Sequence, residues 1–129
     1  MTIIPVLIIM LNPLRSSEET IRKKLLKATP IGTEMQDVLD EINSHKEYID
    51  VDNYNHGYYI RKNGYSPTIT TYKPSSETLE KTVGEKHTHV FIGEYNYHLF
   101  FVACVVALYG FDENDRLVDI AVYKELDGP

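Results

Sequence analysis

"LFFVACVVALY", Leu99–Tyr109, is the stretch on which the fold turns. It is apolar at both alternating sets of positions, so a strand made of it needs cover on two faces. A buried helix is the competing reading of so short an apolar run. Its β-branched and aromatic residues favour a strand, and Gly110 is a poor ending for a helix of that length. We therefore expect a central strand that is buried front and back.

Strands are expected on either side of it. Upstream, Val90–Ile92 forms the centre of one. Downstream, Leu117–Lys124 alternates, with Val118, Ile120 and Val122 on one face and Leu117, Asp119, Ala121 and Tyr123 on the other. Between the last two runs lies Asp112–Arg116, which looks at first like a calcium loop. Asp112 and Asn114 fit that pattern, but Arg116 occupies the next ligand position and Leu117 stands where glycine is needed. The segment reads as a solvated hairpin turn.

Further upstream, Asn63-Gly64 suits a type I′ turn between Tyr- and Ile-rich arms, and Pro67 confines the second arm to an edge. Lys73–Lys86 is polar and reads as a surface connection. Two helices precede the strands. In "SSEETIRKKLLKATP" Ser16 and Glu19 have capping-box spacing, Ile21, Leu25 and Ala28 share a face, and Thr29-Pro30 ends the helix. In "TEMQDVLDEINSH" Thr33 and Gln36 are the cap pair, while Met35, Val38, Leu39 and Ile42 line the buried face. Ile31, in the corner between the helices, is expected to pack inward. The whole predicts an α+β fold, with two N-terminal helices on one face of a four- to five-stranded antiparallel sheet.

"LLKATPIGTEMQDVLDEI" resembles the helical start of β-lactamase-inhibitor-protein-like (BLIP-like) and outer-membrane-assembly-lipoprotein-like (SmpA/OmlA) modules. "GEKHTHVFIGEYNYHLFF" and "YGFDENDRLVDIAVYKELDGP" resemble the C-terminal half of an uncharacterised bacterial family. The likeness covers residues 15–129. Tyr109 and Tyr123 stand where that family usually carries Trp, and Asp115 where its turn usually has Gly. The resemblance implies an α+β module that binds other proteins and performs no chemistry, and it carries over no catalytic residues.

The 129-residue chain fits a single domain over residues 15–129, preceded by an apolar arm at residues 1–14. "IIPVLIIML", Ile3–Leu11, is too short for a bilayer span, which takes ~20 residues, and it lacks the flanks of a secretory signal. It reads either as a buried strand or as the remnant of a signal or membrane segment. The cellular address is accordingly left between cytoplasmic and membrane-anchored or exported, with possible membrane proximity through this segment. A net charge of −6 with no Lys/Arg cluster argues against a nucleic-acid surface. The lone Cys104 lies in an apolar run and reads as a buried thiol.

No nucleophile motif or phosphate loop is present. Glu94 follows Gly93 and reads as exposed at a strand end or bulge. His87 and His89 share one strand face and form the candidate metal pair, without a third ligand at recognisable spacing. The tyrosines of the β half offer large amphipathic area suited to recognition. Tyr58, Tyr59, Tyr95, Tyr97, Tyr109 and Tyr123 are the expected partner-binding residues, on a sheet face that two helices cannot cover. The expected function is thus a non-catalytic protein-interaction module without cofactor, binding a protein partner or itself. The alternative is a metal- or small-ligand-binding protein built on His87 and His89.

Overall fold

The computed structural model describes residues 12–63 and 66–128. The Ile3–Leu11 run and the Gly64–Tyr65 connection lie outside the described residues. After a 3-10 turn at Pro13–Arg15 come helices α1 (Glu18–Ala28) and α2 (Met35–Ser44). Seven strands follow: β1 (Ile49–Tyr54), β2 (Tyr58–Asn63), β3 (Ser66–Thr70), β4 (Leu79–Val83), β5 (Lys86–Tyr97), β6 (Phe101–Phe111) and β7 (Leu117–Asp127). Four of them form an antiparallel sheet in the order β1-β5-β6-β7, and a smaller antiparallel sheet runs β3-β2-β4. The α+β class, with both helices N-terminal to the strands, is as the sequence predicts.

β6 is a strand, and it is central. Its odd-numbered residues Val105, Ala107, Tyr109 and Phe111 pack with Ile21, Val38 and Ile42 of the helices. Its even-numbered residues Val106 and Leu108 pack with Tyr58 and Val83 of the smaller sheet. This corrects the expectation of an open face: the second side of the main sheet is covered by β2, β3 and β4. Part of that cover comes from the polar stretch read as a plain connection, which contains β4. Gly110 sits beneath the Tyr58 ring, where a side chain would crowd it.

The helix caps differ in detail from the expected ones. Ser17, not Ser16, caps α1, its hydroxyl accepting from the Thr20 amide at 3.2 Å. Ser16 gives its carbonyl to Lys124 Nζ instead. α2 begins after Glu34 without a side-chain cap. Its Met35 amide donates to the Asp115 carbonyl at 2.8 Å, while the Thr33 hydroxyl donates back to Pro30. The interhelix corner is therefore bonded to the β6–β7 turn, with Gly32 and Thr33 exchanging backbone bonds with Leu117. That pairing turns Ile31 outward, 63% exposed, where inward packing was expected.

The Asp112–Arg116 segment is the expected turn: Asp112 Oδ1 accepts from the amides of Asn114 and Arg116 at 2.8 and 3.0 Å. Just beyond it a bulge shifts the register between Gly110 and Phe111, where Asp119 and Leu117 are their partners. Because one residue is skipped, Leu117 joins Ile120 and Val122 on the helix side and Val118 joins Ala121 and Tyr123 on the other. A second bulge lies between Phe91 and Gly93, leaving Glu94 exposed as expected. Gly93 has φ 151°, and Leu14 packs against its bare Cα, which fixes the 3-10 turn on β5. α1 is fastened to β7 by Arg22, which donates to Asp119 Oδ1 at 2.6 Å and to the Ile120 carbonyl at 2.9 Å.

β3 is an edge strand, as Pro67 requires. Asn63 pairs with Ser66, so the connection between β2 and β3 is Gly64–Tyr65 and not Asn63-Gly64. Cys104 is half-buried, not buried, because the smaller sheet does not extend over its end of β6.

Candidate interaction face

The alternation of β5 sends His87, His89 and Phe91 to the side away from the helices. His87 lands where the two sheets meet and is fully buried. It stands opposite Tyr54 in the β1–β5 register, and the two rings stack at 4.6 Å and 7°. Tyr58 meets it edge-on at 6.2 Å. Both ring nitrogens are engaged: Nδ1 lies 2.7 Å from the His56 carbonyl and Nε2 3.2 Å from Thr71 Oγ1. A carbonyl only accepts, so Nδ1 carries the proton and Nε2 accepts from the Thr71 hydroxyl. The ring is neutral: burial holds its pKa below the usual imidazole value, against the raising effect of its bond to the His56 carbonyl, while the charges of the His56 and His89 side chains add to the lowering.

Around this buried ring lies an aromatic surface. His56 is exposed, stacks on Tyr59 at 5.4 Å and tilts against Tyr54 at 5.5 Å. Tyr72 is 78% exposed. It directly follows Thr71, whose hydroxyl bonds to the buried His87 ring. Burial above all pushes the Tyr123 phenol up to about 12, and it raises that of Tyr54 as well. Tyr54 and His56 thus form an aromatic patch beside buried His87, and Tyr72 directly follows Thr71, which bonds to the same His87 ring.

The six tyrosines singled out by the sequence are scattered. Tyr58, Tyr59 and Tyr109 are buried, the first two in the smaller sheet and Tyr109 beneath the helices. Tyr58 and Tyr109 turn into the two cores, while Tyr59, next to Tyr58 on β2, turns to the other side and stacks on His56. Tyr95 is half-buried beneath the cations of Arg15 and Lys124, at 4.9 and 5.0 Å from its ring. Tyr97 is exposed at the end of β5, away from the patch. Tyr123 is half-buried on the edge strand β7 opposite Val106, with β5 and β6 between it and Tyr54. Tyr54, Tyr72 and His56 are not among the six; the turn-forming residues beside them, Asn55, Gly57 and Pro74, are the signal for chain ends and loops.

His87 and His89 do share a face, but His89 Nδ1 is turned to the Asp50 carbonyl at 3.1 Å. Among the described residues no three His, Cys, Asp or Glu side chains converge as metal ligands. On the helix side a cavity of about 380 Å³ is lined by Leu14, Ile21, Leu25, Ile92 and Tyr109. His45 stands at its rim between Glu47 at 2.7 Å and Glu41 at 3.1 Å, stacked on Tyr48. Burial opposes the charge on His45, yet the two carboxylates together raise its pKa. This is a closed ion-pair network with no nucleophile in it. Cys104 lies elsewhere, its Sγ 4.0 Å from Glu94, and burial and nearby carboxylates keep it a thiol.

No protein-family model matches this chain, and no curated protein or solved structure matches it either.

Proposed function

We propose that this chain is a non-catalytic module that binds a protein partner through the seam that carries Tyr54, His56 and Tyr72. The observation that carries this reading is half-exposed Tyr54 stacked on fully buried His87 as its base, with exposed His56 against it, and 78% exposed Tyr72 directly after the Thr71 that bonds to His87. Tyrosine offers a large apolar ring and a polar tip at small entropic cost, and such rings dominate binding energies at interfaces. Strand pairing and the His87 hydrogen bonds fix the base, so little ordering remains to oppose association.

The test places a photo-crosslinking residue at Tyr72 and, as a control, at Lys27 on the exposed side of α1. A discrete adduct from position 72 alone is expected. Tyr72→Ala should weaken binding of the recovered partner by at least about tenfold, the scale of an interface hot spot. An adduct of twice the chain's mass would make the partner a second copy. Equal or absent adducts at the two positions would remove the reading.

A further inference from the structure

We infer that the β5–β6 hairpin end is a lipid-facing tip, which enters the apolar border of a bilayer. The hairpin closes with Tyr97 paired to Phe101, leaving His98, Leu99 and Phe100 as its loop. Turn loops ordinarily use Gly, Asn, Asp or Pro. Here the apex is Leu99, 91% exposed, and Phe100, 71% exposed, with His98 held at φ 59° where glycine is easier. Tyr97, Phe101 and, on the neighbouring strand, Leu126 extend the apolar surface down one side. Five large apolar side chains at one protruding end break both turn chemistry and the usual economy of exposed hydrophobes.

What covers them is indicated by where the chain enters. Arg15 donates to the Asn96 carbonyl at 3.0 Å, and Leu14 packs on Gly93. The 3-10 turn thus lies against β5 just before the tip. Asn12, with Pro13, Arg15, Asn96 and Val102, lines one shallow depression at the base of the hairpin. The run Ile3–Leu11, eight of whose nine residues are aliphatic or Met, therefore joins the described structure at this end. A bilayer buries a convex apolar tip without needing a matching shape. Charges here are mixed, with Arg15 and Lys124 against Glu94, Glu125 and Asp127, so insertion and not charge attraction drives contact. Binding to uncharged lipid with little salt dependence follows. Among the described residues no helix is long and apolar enough to cross a membrane.

The chain has no tryptophan, so Phe100→Trp in the full chain supplies a single reporter at an exposed position. Glu113→Trp reports from the turn at the opposite end of β6. With phosphatidylcholine vesicles, the Phe100→Trp emission should shift to the blue and be quenched by brominated lipid, while that of Glu113→Trp stays unchanged. Leu99→Asp with Phe100→Asp should weaken vesicle binding by at least about tenfold, from the apolar burial of two large side chains. Three outcomes would overturn the proposal. These are vesicle binding without a change at position 100, a blue shift that follows protein concentration without lipid, and a shift that requires another protein.

Discussion

Replacing His87 by Phe isolates the contribution of the buried imidazole. The new ring can keep the stack on Tyr54, but it cannot bond to the His56 carbonyl or the Thr71 hydroxyl. Each buried polar group left without a partner costs about 1–3 kcal/mol, so His87→Phe should lose about 2–5 kcal/mol at pH 7.5. The loss should shrink in acid. Because the folded pKa of His87 lies below 6.5, the unfolded chain binds this proton first as pH falls. The native protein keeps its full His87 contribution above pH 6.5 and loses it progressively down to the depressed folded pKa. One proton can change stability by at most about 1.4 kcal/mol per pH unit in that window. His45 has the opposite sign: its raised pKa adds stability in acid that is lost as pH rises through it. It is present in both proteins, so its effect cancels in their difference. Urea unfolding of both chains from pH 7.5 to 5.0, followed by tyrosine fluorescence, gives that difference directly. A gap between wild type and variant that stays constant across the window would refute a neutral, buried His87.

Two further substitutions test the layers. Leu108→Ala, beneath the smaller sheet and fully buried, should cost about 3–5 kcal/mol by urea unfolding, whereas an uncovered face would register less than about 1 kcal/mol. Gly57→Ala would drive its Cβ into the backbone carbonyls of Val83 and Gly84, so β4 must separate from β2. Faster amide exchange should appear in β4 while the β5–β6 pairing keeps its protection; unchanged exchange in β4 would contradict the close approach.

The sequence signals that succeed are those carried by one element alone. β6 is legible because its run is apolar at both parities, and the helices because Ile21, Val38 and Ile42 recur at helical spacing beside stop residues. The failures arise where a neighbour decides. β4 gives the core only Val83, and a bulge sets Leu79 opposite Arg61 on the other face, which leaves no periodicity to separate the strand from a loop. A bulge exchanges the faces of Leu117 and Val118, and no composition announces it. Leu99 and Phe100 continue the apolar run of β6, so only the backbone reversal at His98 distinguishes a tip from a strand. Tyrosine is equally at home in a core and on a surface, which is why its type could not separate Tyr58 and Tyr109 from Tyr72.

Two-sided burial also determines where recognition can occur. Once the smaller sheet covers Val106 and Leu108, the main sheet has no broad apolar face to offer. Among the described residues, exposed aromatic area lies at the places that layer does not reach. One is the seam where β1 meets the loops flanking the smaller sheet, which carries Tyr54, His56 and Tyr72. The other is the far end of the β5–β6 hairpin, with Leu99 and Phe100. The two differ in chemistry: phenols and imidazole with polar tips at the seam, bare hydrocarbon at the apex. Polar-tipped rings can make the directed hydrogen bonds that discriminate among protein surfaces, while hydrocarbon gains from any dry environment. Under the two proposals, separate surfaces with separate preferences would let one small module sit at a lipid border and still present its seam to a protein.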